Sequence, residues 1–271
     1  MSITQVTIIQ LVILAIVQGL TEFIPVSSSA HLILAPLMVE GWADQGRAID
    51  VAAHVGSLGA VMLYFRKETL GLMQGGVDTV LRRQTENGKL FFLIAIATVP
   101  LVVFGGILAA SGLADAMRDP RVIGATSIIF GVLLWVADRK PVATEEAPTG
   151  WRKVLFIGGA QALAAIPGTS RSGATITAAR WLGFTREQSA RFSMLLAIPA
   201  IAASGLYEGL KMVSEGAEAT MGPALIVATF SFFAALLSID VFLKLTRRLS
   251  FTPFVIYRII LGVFLLILFS L

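Results

Sequence analysis

Cysteine is absent from the chain, which excludes disulfides and thiolate metal sites and leaves the redox compartment open. Histidine is nearly absent: His31 and His54 are the only two, too few for a histidine-rich transition-metal site. Charge is scarce as well. Asp, Glu, Lys and Arg make up 14% of the 271 residues, against about 25% in soluble domains. In their place, 56% of residues are hydrophobic and mean hydropathy is +0.83. An ordinary soluble domain is thereby excluded, and several apolar segments are long enough to cross a bilayer core of ~30 Å. The pI of about 9.7 reflects loop lysines and arginines of a membrane protein, so no nucleic-acid partner is expected. Residues 1–10 carry no basic n-region and no small-residue cleavage pattern follows, so no cleavable signal peptide is expected.

The apolar pattern is broken twice by polar islands. The first, Gln18 to His31, divides residues 3–39 into arms shorter than the ~20 residues of a spanning helix. Polar backbone at membrane depth is tolerated only inside protein or along a wet cavity. The segment therefore reads as a re-entrant helix–break–helix, in preference to two tilted spans. Three spans follow, near 48–65, 90–110 and 122–137. A charged loop with two prolines, 141–153, acts as a linker, and the pattern then restarts: a second interrupted pair over 154–182 and spans near 188–207, 223–241 and 254–269. The fold class expected is an all-α polytopic membrane protein. Its halves, 1–140 and 154–271, each hold one re-entrant pair and three spans, an odd number, so the second copy is inverted relative to the first. Thirteen loop lysines and arginines fall on one side, and Arg47, Arg118, Arg121 and Lys211 on the other. The richer side is then cytoplasmic, and the termini and the first re-entrant pair belong to the outer side.

Within the second island, Pro167 and Gly168 stop one helix, and Thr169, Ser170, Arg171 and Ser172 open the next. A helix start leaves backbone N–H groups free at its positive end, which suits phosphate. With Thr175 and the Arg171 guanidinium they form a phosphate cradle. The first island supplies Glu22, a carboxylate in an apolar segment and therefore a functional candidate by default. Its alternative role is a structural ion pair with Arg171. Gln18 lies one turn earlier on the same face, and the two together can hold a divalent cation through oxygens. Ser27, Ser28 and Ser29 open the helix bearing His31, the natural proton carrier. Asp50 and His54, four apart, read equally as supporting residues or as a packing pair. Arg258 reads as a snorkelling side chain.

With these residues in view, the sequence resembles the undecaprenyl-pyrophosphate phosphatase family of the bacitracin-resistance type. The resemblance runs from residues 15–23 to 251–258. Its signatures are Gln18 to Glu22 (an acid or amide, three residues, then Glu) and the more specific Pro167 to Thr175 (Pro-Gly-x-Ser-Arg-Ser-x-x-Thr). The family's functional histidine matches His31 and its Ser-rich segment Ser27 to Ser29. The resemblance implies hydrolysis of undecaprenyl pyrophosphate to the monophosphate and inorganic phosphate, which recycles the lipid carrier for cell-wall synthesis and confers bacitracin resistance. It also implies a bacterial inner-membrane location and a divalent cation, Mg²⁺ or Ca²⁺. In that reading Glu22, His31, Ser28 and Arg171 are catalytic. Ser27, Ser29, Gly168, Thr169, Ser170, Ser172 and Thr175 bind phosphate, and Glu22 and Gln18 hold the metal. The nucleophile is Ser28 or a water, and a homodimer is compatible with the sequence. Architecture alone would favour a lipid flippase or a secondary transporter with a midplane anion site.

Overall fold

A computed structural model describes residues 7–40, 42, 45–113, 117–214 and 221–270. These residues are helical apart from turns and one isolated bridge between Thr144 and Phe184. The first island separates α1 (Ile8–Thr21) from α2 (Ser28–Met38), and the second separates α7 (Trp151–Ala162) from α8 (Arg171–Trp181), with a 3₁₀ turn at Leu163–Ala165. At 14, 11, 12 and 11 residues, all four are too short to span a bilayer alone. The long helices are α5 (Glu86–Ser111), α6 (Pro120–Asp138), α9 (Arg186–Ser214), α10 (Met221–Thr246) and α11 (Thr252–Ser270). Among the described residues these five are each long and apolar enough to cross a membrane. The protein is a multi-pass membrane protein.

One segment expected as a loop is a helix. The chain leaves α3 (Arg47–Tyr64), bends by 95° and continues as α4 (Arg66–Val80). Charge at Arg66, Lys67 and Glu68 hid this helix, whose Leu72 and Gly75 are buried. Gly75 faces the Asn87 backbone so closely that a Cβ there would overlap it, which seats α4 on the start of α5.

Small residues set the other contacts. A Cβ at Gly19 of α1 would overlap the Ser231 carbonyl of α10, and one at Gly158 of α7 would overlap Ala97 of α5. Close backbone approach of this kind is how helices associate where no water drives them together. Helix α1 therefore packs on α10 as α7 packs on α5, while α6 pairs with α11 and α3 lies against both α10 and α9. At the ends of α6, α8, α9 and α11, Asp138 gathers several donors. It accepts from Arg186 at 2.6 and 3.1 Å and from the Phe251 N–H at 3.0 Å, with Arg180 Nε at 3.4 Å. The two broken pairs meet inside this frame.

Candidate active site

Both breaks turn the chain in the same unusual way. Ser27, which precedes α2, has φ of 73°, and Ser170, which precedes α8, has φ of 69°. Non-glycine residues rarely occupy this left-handed region, and surrounding structure must hold them there. Each turn brings two hydroxyls together: Ser27 and Ser29 Oγ lie 3.3 Å apart, Ser170 and Ser172 Oγ 3.2 Å. Ser170 accepts the Gly173 N–H and so caps α8. No side chain caps α2, so its first-turn N–H groups remain available for an anion.

Glu22 ends α1 and is the hub. Its Oε2 accepts from Ser28 Oγ at 2.6 Å and from Gln18 Nε2 at 2.8 Å. Its Oε1 accepts from Arg171 Nη2 at 3.2 Å, and His54 Nε2 lies 3.9 Å from Oε2. The ion pair expected as the alternative role of Glu22 is therefore present, and it stands next to a hydroxyl that donates to the same carboxylate. Arg171 also donates Nη1 to the Ser193 carbonyl at 3.2 Å. Two of its five N–H donors are engaged, which leaves the others for a ligand. Glu22, Ser27, Ser28, Ser29, Ser170 and Arg171 line one cavity of 530 Å³, together with His54 and apolar residues of α5 and α9.

The other expected site residues support this cavity from behind. Gln18 is fully buried, and its Oε1 has no partner among the described residues. Ser172 Oγ donates to the Ile24 carbonyl at 2.8 Å and ties the second break to the first. Thr175 Oγ1 donates to Ser193 Oγ at 2.7 Å. Thr169 is fully buried. Gly168 has φ of 86° and lies against Thr126 and Ile123, where any side chain would collide. His31 is turned away from the cavity. Its Nδ1 lies 2.7 Å from the Ser27 carbonyl, and its Nε2 lies 2.5 Å from the Tyr257 hydroxyl, with the rings stacked. Both of its nitrogens are thereby committed to holding the first turn.

Two residues carry more than their sequence positions suggested. His54 is the ring beside Glu22; its Nδ1 is 2.7 Å from the Asp50 carbonyl, which leaves Nε2 facing the carboxylate. Arg258, expected to snorkel, is instead 0% exposed. It donates to Ser127 O at 3.2 Å, Pro25 O at 3.3 Å, and Gly168 O and Thr169 O at 2.9 Å each. One guanidinium thus joins both breaks to α6. The carbonyls freed by two broken helices outbid the solvent for it. A lone arginine in an apolar helix was a sufficient signal.

The carboxylate of Glu22 and the amide oxygen of Gln18 are donors of the kind a hard cation such as Mg²⁺ or Ca²⁺ takes. Among the described residues no group of three or more His, Asp or Glu could hold one; of the two residues expected to, Glu22 has both oxygens hydrogen-bonded and Gln18 keeps one unpartnered Oε1.

The family model described as "Bacitracin resistance protein BacA" matches residues 11–264. A curated undecaprenyl-diphosphatase from Jannaschia sp. (strain CCS1) is 47% identical over 260 residues, 95% of this chain and 97% of that protein.

Proposed function

Because the chain belongs to the bacitracin resistance protein BacA family, we propose that its cavity hydrolyses undecaprenyl pyrophosphate to undecaprenyl phosphate and inorganic phosphate. The observation that carries this reading is the Ser28–Glu22–Arg171 arrangement: a hydroxyl 2.6 Å from a carboxylate that also faces a guanidinium. This is a nucleophile, a base and a charge-neutralising group in one cavity. Recycling of the lipid carrier for cell-wall synthesis follows from the reaction.

In the mechanism, the Arg171 fork and the free N–H groups opening α2 bind the terminal phosphate. Ser28 Oγ attacks its phosphorus, the proton passes to Glu22, and the phosphoanhydride bond breaks to release undecaprenyl phosphate. Water then cleaves the Ser28 phosphoester, and the proton held by Glu22 returns to Ser28. His54, 3.9 Å from Glu22, takes the attacking water's proton and releases it to solvent as inorganic phosphate leaves. Ser27, Ser29 and Ser170 contribute hydroxyls to the phosphate oxygens. A divalent cation, when bound, neutralises charge on the diphosphate; Glu22 and Gln18 would hold it.

The test is phosphate release from a prenyl pyrophosphate by the purified protein in detergent. Hydrolysis needs no second compartment, so release supports the phosphatase. Transport across a vesicle without release would favour the flippase reading. A more pointed outcome is expected from Glu22→Gln. The amide is a poor base and a poor ligand for a hard cation, so turnover should fall by about 10²–10⁴-fold and its dependence on added Mg²⁺ or Ca²⁺ should flatten. Full activity with unaltered cation dependence would remove this carboxylate from the centre.

The inverted repeat and the orientation belong to the same proposal. Equivalent packing of α1 on α10 and α7 on α5 supports the repeat, and the lysine and arginine excess supports a cytoplasmic 141–153 linker. Glu146 is exposed in that linker, and the native chain has no cysteine. Glu146→Cys should therefore resist an impermeant thiol reagent in intact cells and react once they are opened. Labelling of intact cells would invert the topology.

A further inference from the structure

A second cavity opens at the lysine- and arginine-rich end of the bundle, where α6 and α10 finish and α9 and α11 begin. Its volume is 870 Å³, within the range of small-molecule sites. It is separate from the cavity around Glu22: Arg180, in its wall, lies ~14 Å beyond Arg171 along α8. Five cationic side chains line it (Arg139, Lys140, Arg180, Arg186 and Arg247) against three acidic ones (Asp138, Glu145 and Glu187). Two of the acids are spent within the fold. Asp138 pairs with Arg180 and Arg186, and Glu187 with Arg247.

Arg139 and Lys140 are left with no ion pair and no side-chain hydrogen bond among the described residues. Instead, each is seated on a ring. Arg139 Cζ lies 3.4 Å from the centre of the Trp135 ring, and Lys140 Nζ lies 4.4 Å from that of Trp181. Stacking engages the flat face of a guanidinium and leaves its N–H edge free. The backbone that carries both cations is fixed as well, because Arg180 Nη2 donates to the carbonyls of Asp138 at 3.0 Å and Lys140 at 2.8 Å. Topology asks only for cations at this end. It does not ask for cations held on rings, with their donors unspent, beside a cavity.

Tryptophan supplies the depth. Trp135, Trp151 and Trp181, three of the chain's four, each bear a cation at this end, and all three are exposed. Tryptophan collects at the headgroup level of a bilayer, where basic pockets between spanning helices suit anionic headgroups. We propose that this cavity binds the phosphodiester headgroup of an anionic phospholipid through Arg139 and Lys140, at a site apart from the catalytic one. Trp135 and Val142, both exposed and both in the lining, offer apolar surface to the chains that follow the headgroup.

The measurement is the thermal unfolding midpoint of the whole chain in neutral detergent, titrated with phosphatidylglycerol, phosphatidylcholine or inorganic phosphate. Phosphatidylglycerol is expected to raise the midpoint saturably, and phosphatidylcholine and inorganic phosphate are not. Arg139→Gln combined with Lys140→Gln should weaken phosphatidylglycerol binding by about tenfold or more, the scale of two interfacial cations. Arg152→Gln removes the cation from Trp151 but none from the cavity lining, and should bind as the native chain does. The midpoint without lipid shows whether a variant is folded. Should the double variant not fold, Lys140→Gln alone is expected to weaken binding by about fivefold. Equal response to the two lipids, or folded cavity variants that bind phosphatidylglycerol as tightly as the native chain, would overturn the site. An equal loss in Arg152→Gln would reduce it to general surface charge, and a midpoint raised as far by inorganic phosphate would make it a free-phosphate site; either result overturns the proposal.

Discussion

Ser28→Ala is expected to slow phosphate release from undecaprenyl pyrophosphate by about 10³-fold or more, the scale on which enzymes lose a covalent nucleophile. The change removes one oxygen and leaves the backbone of α2 as it was. The lost atom is the one hydrogen-bonded to Glu22 at 2.6 Å. Without it, Glu22 keeps Gln18 and Arg171 as partners, so the ion pair and the cavity persist and binding survives. The expected signature is a collapse in kcat with KM little changed. Ser29→Ala is the matched control: its hydroxyl lies 3.3 Å from Ser27 Oγ and should cost less than about tenfold. A near-normal rate in Ser28→Ala would pass the nucleophile's role to a water molecule.

Arg258→Leu is expected to damage stability and activity together. Four carbonyl oxygens lose their donor, two of them within the second break and one within the first. A buried acceptor left unpaired costs about 1–3 kcal/mol. Four of them approach the whole 5–15 kcal/mol by which domains are stable. No carboxylate is paired with Arg258 among the described residues, so no buried countercharge is stranded when it goes. Thermal unfolding in detergent should shift sharply downward, and what remains folded should turn over poorly because Ser28 and Arg171 lose their register. Arg258→Lys keeps the charge but not the fork, and should fall between the two. A Leu variant that melts and hydrolyses like the native chain would reduce Arg258 to a space-filling residue.

Much of this arrangement was legible beforehand, for a physical reason. Polar residues are expensive in an apolar chain, so Gln18, Glu22, the serines and Arg171 stand out against their surroundings. Helix breaks are equally visible, because Pro25, Pro167 and Gly168 cannot continue a helix. Direction was harder to read. Position near a break suggested that His31 faces the cavity, yet Tyr257, distant in sequence, captures its ring. His54 sits in another helix, and nothing local to it reveals that α3 brings it to Glu22. Arg258 was misread because a terminal-looking arginine usually reaches water, and the carbonyls that satisfy it come from three separate segments. Helix α4 was missed because charge at its start mimics a loop.

Arg258 sits in α11, near the carboxyl end of the chain, yet it fastens turns at Pro25 and at Gly168 and Thr169. During synthesis the amino-terminal half is made and inserted long before this arginine exists. The turn that presents Ser28 must wait, unfastened, while more than two hundred residues follow it. A chain stopped short of α11 lacks the donor for all four carbonyls that Arg258 reaches. The register of both breaks is therefore completed only when α11 packs against α6.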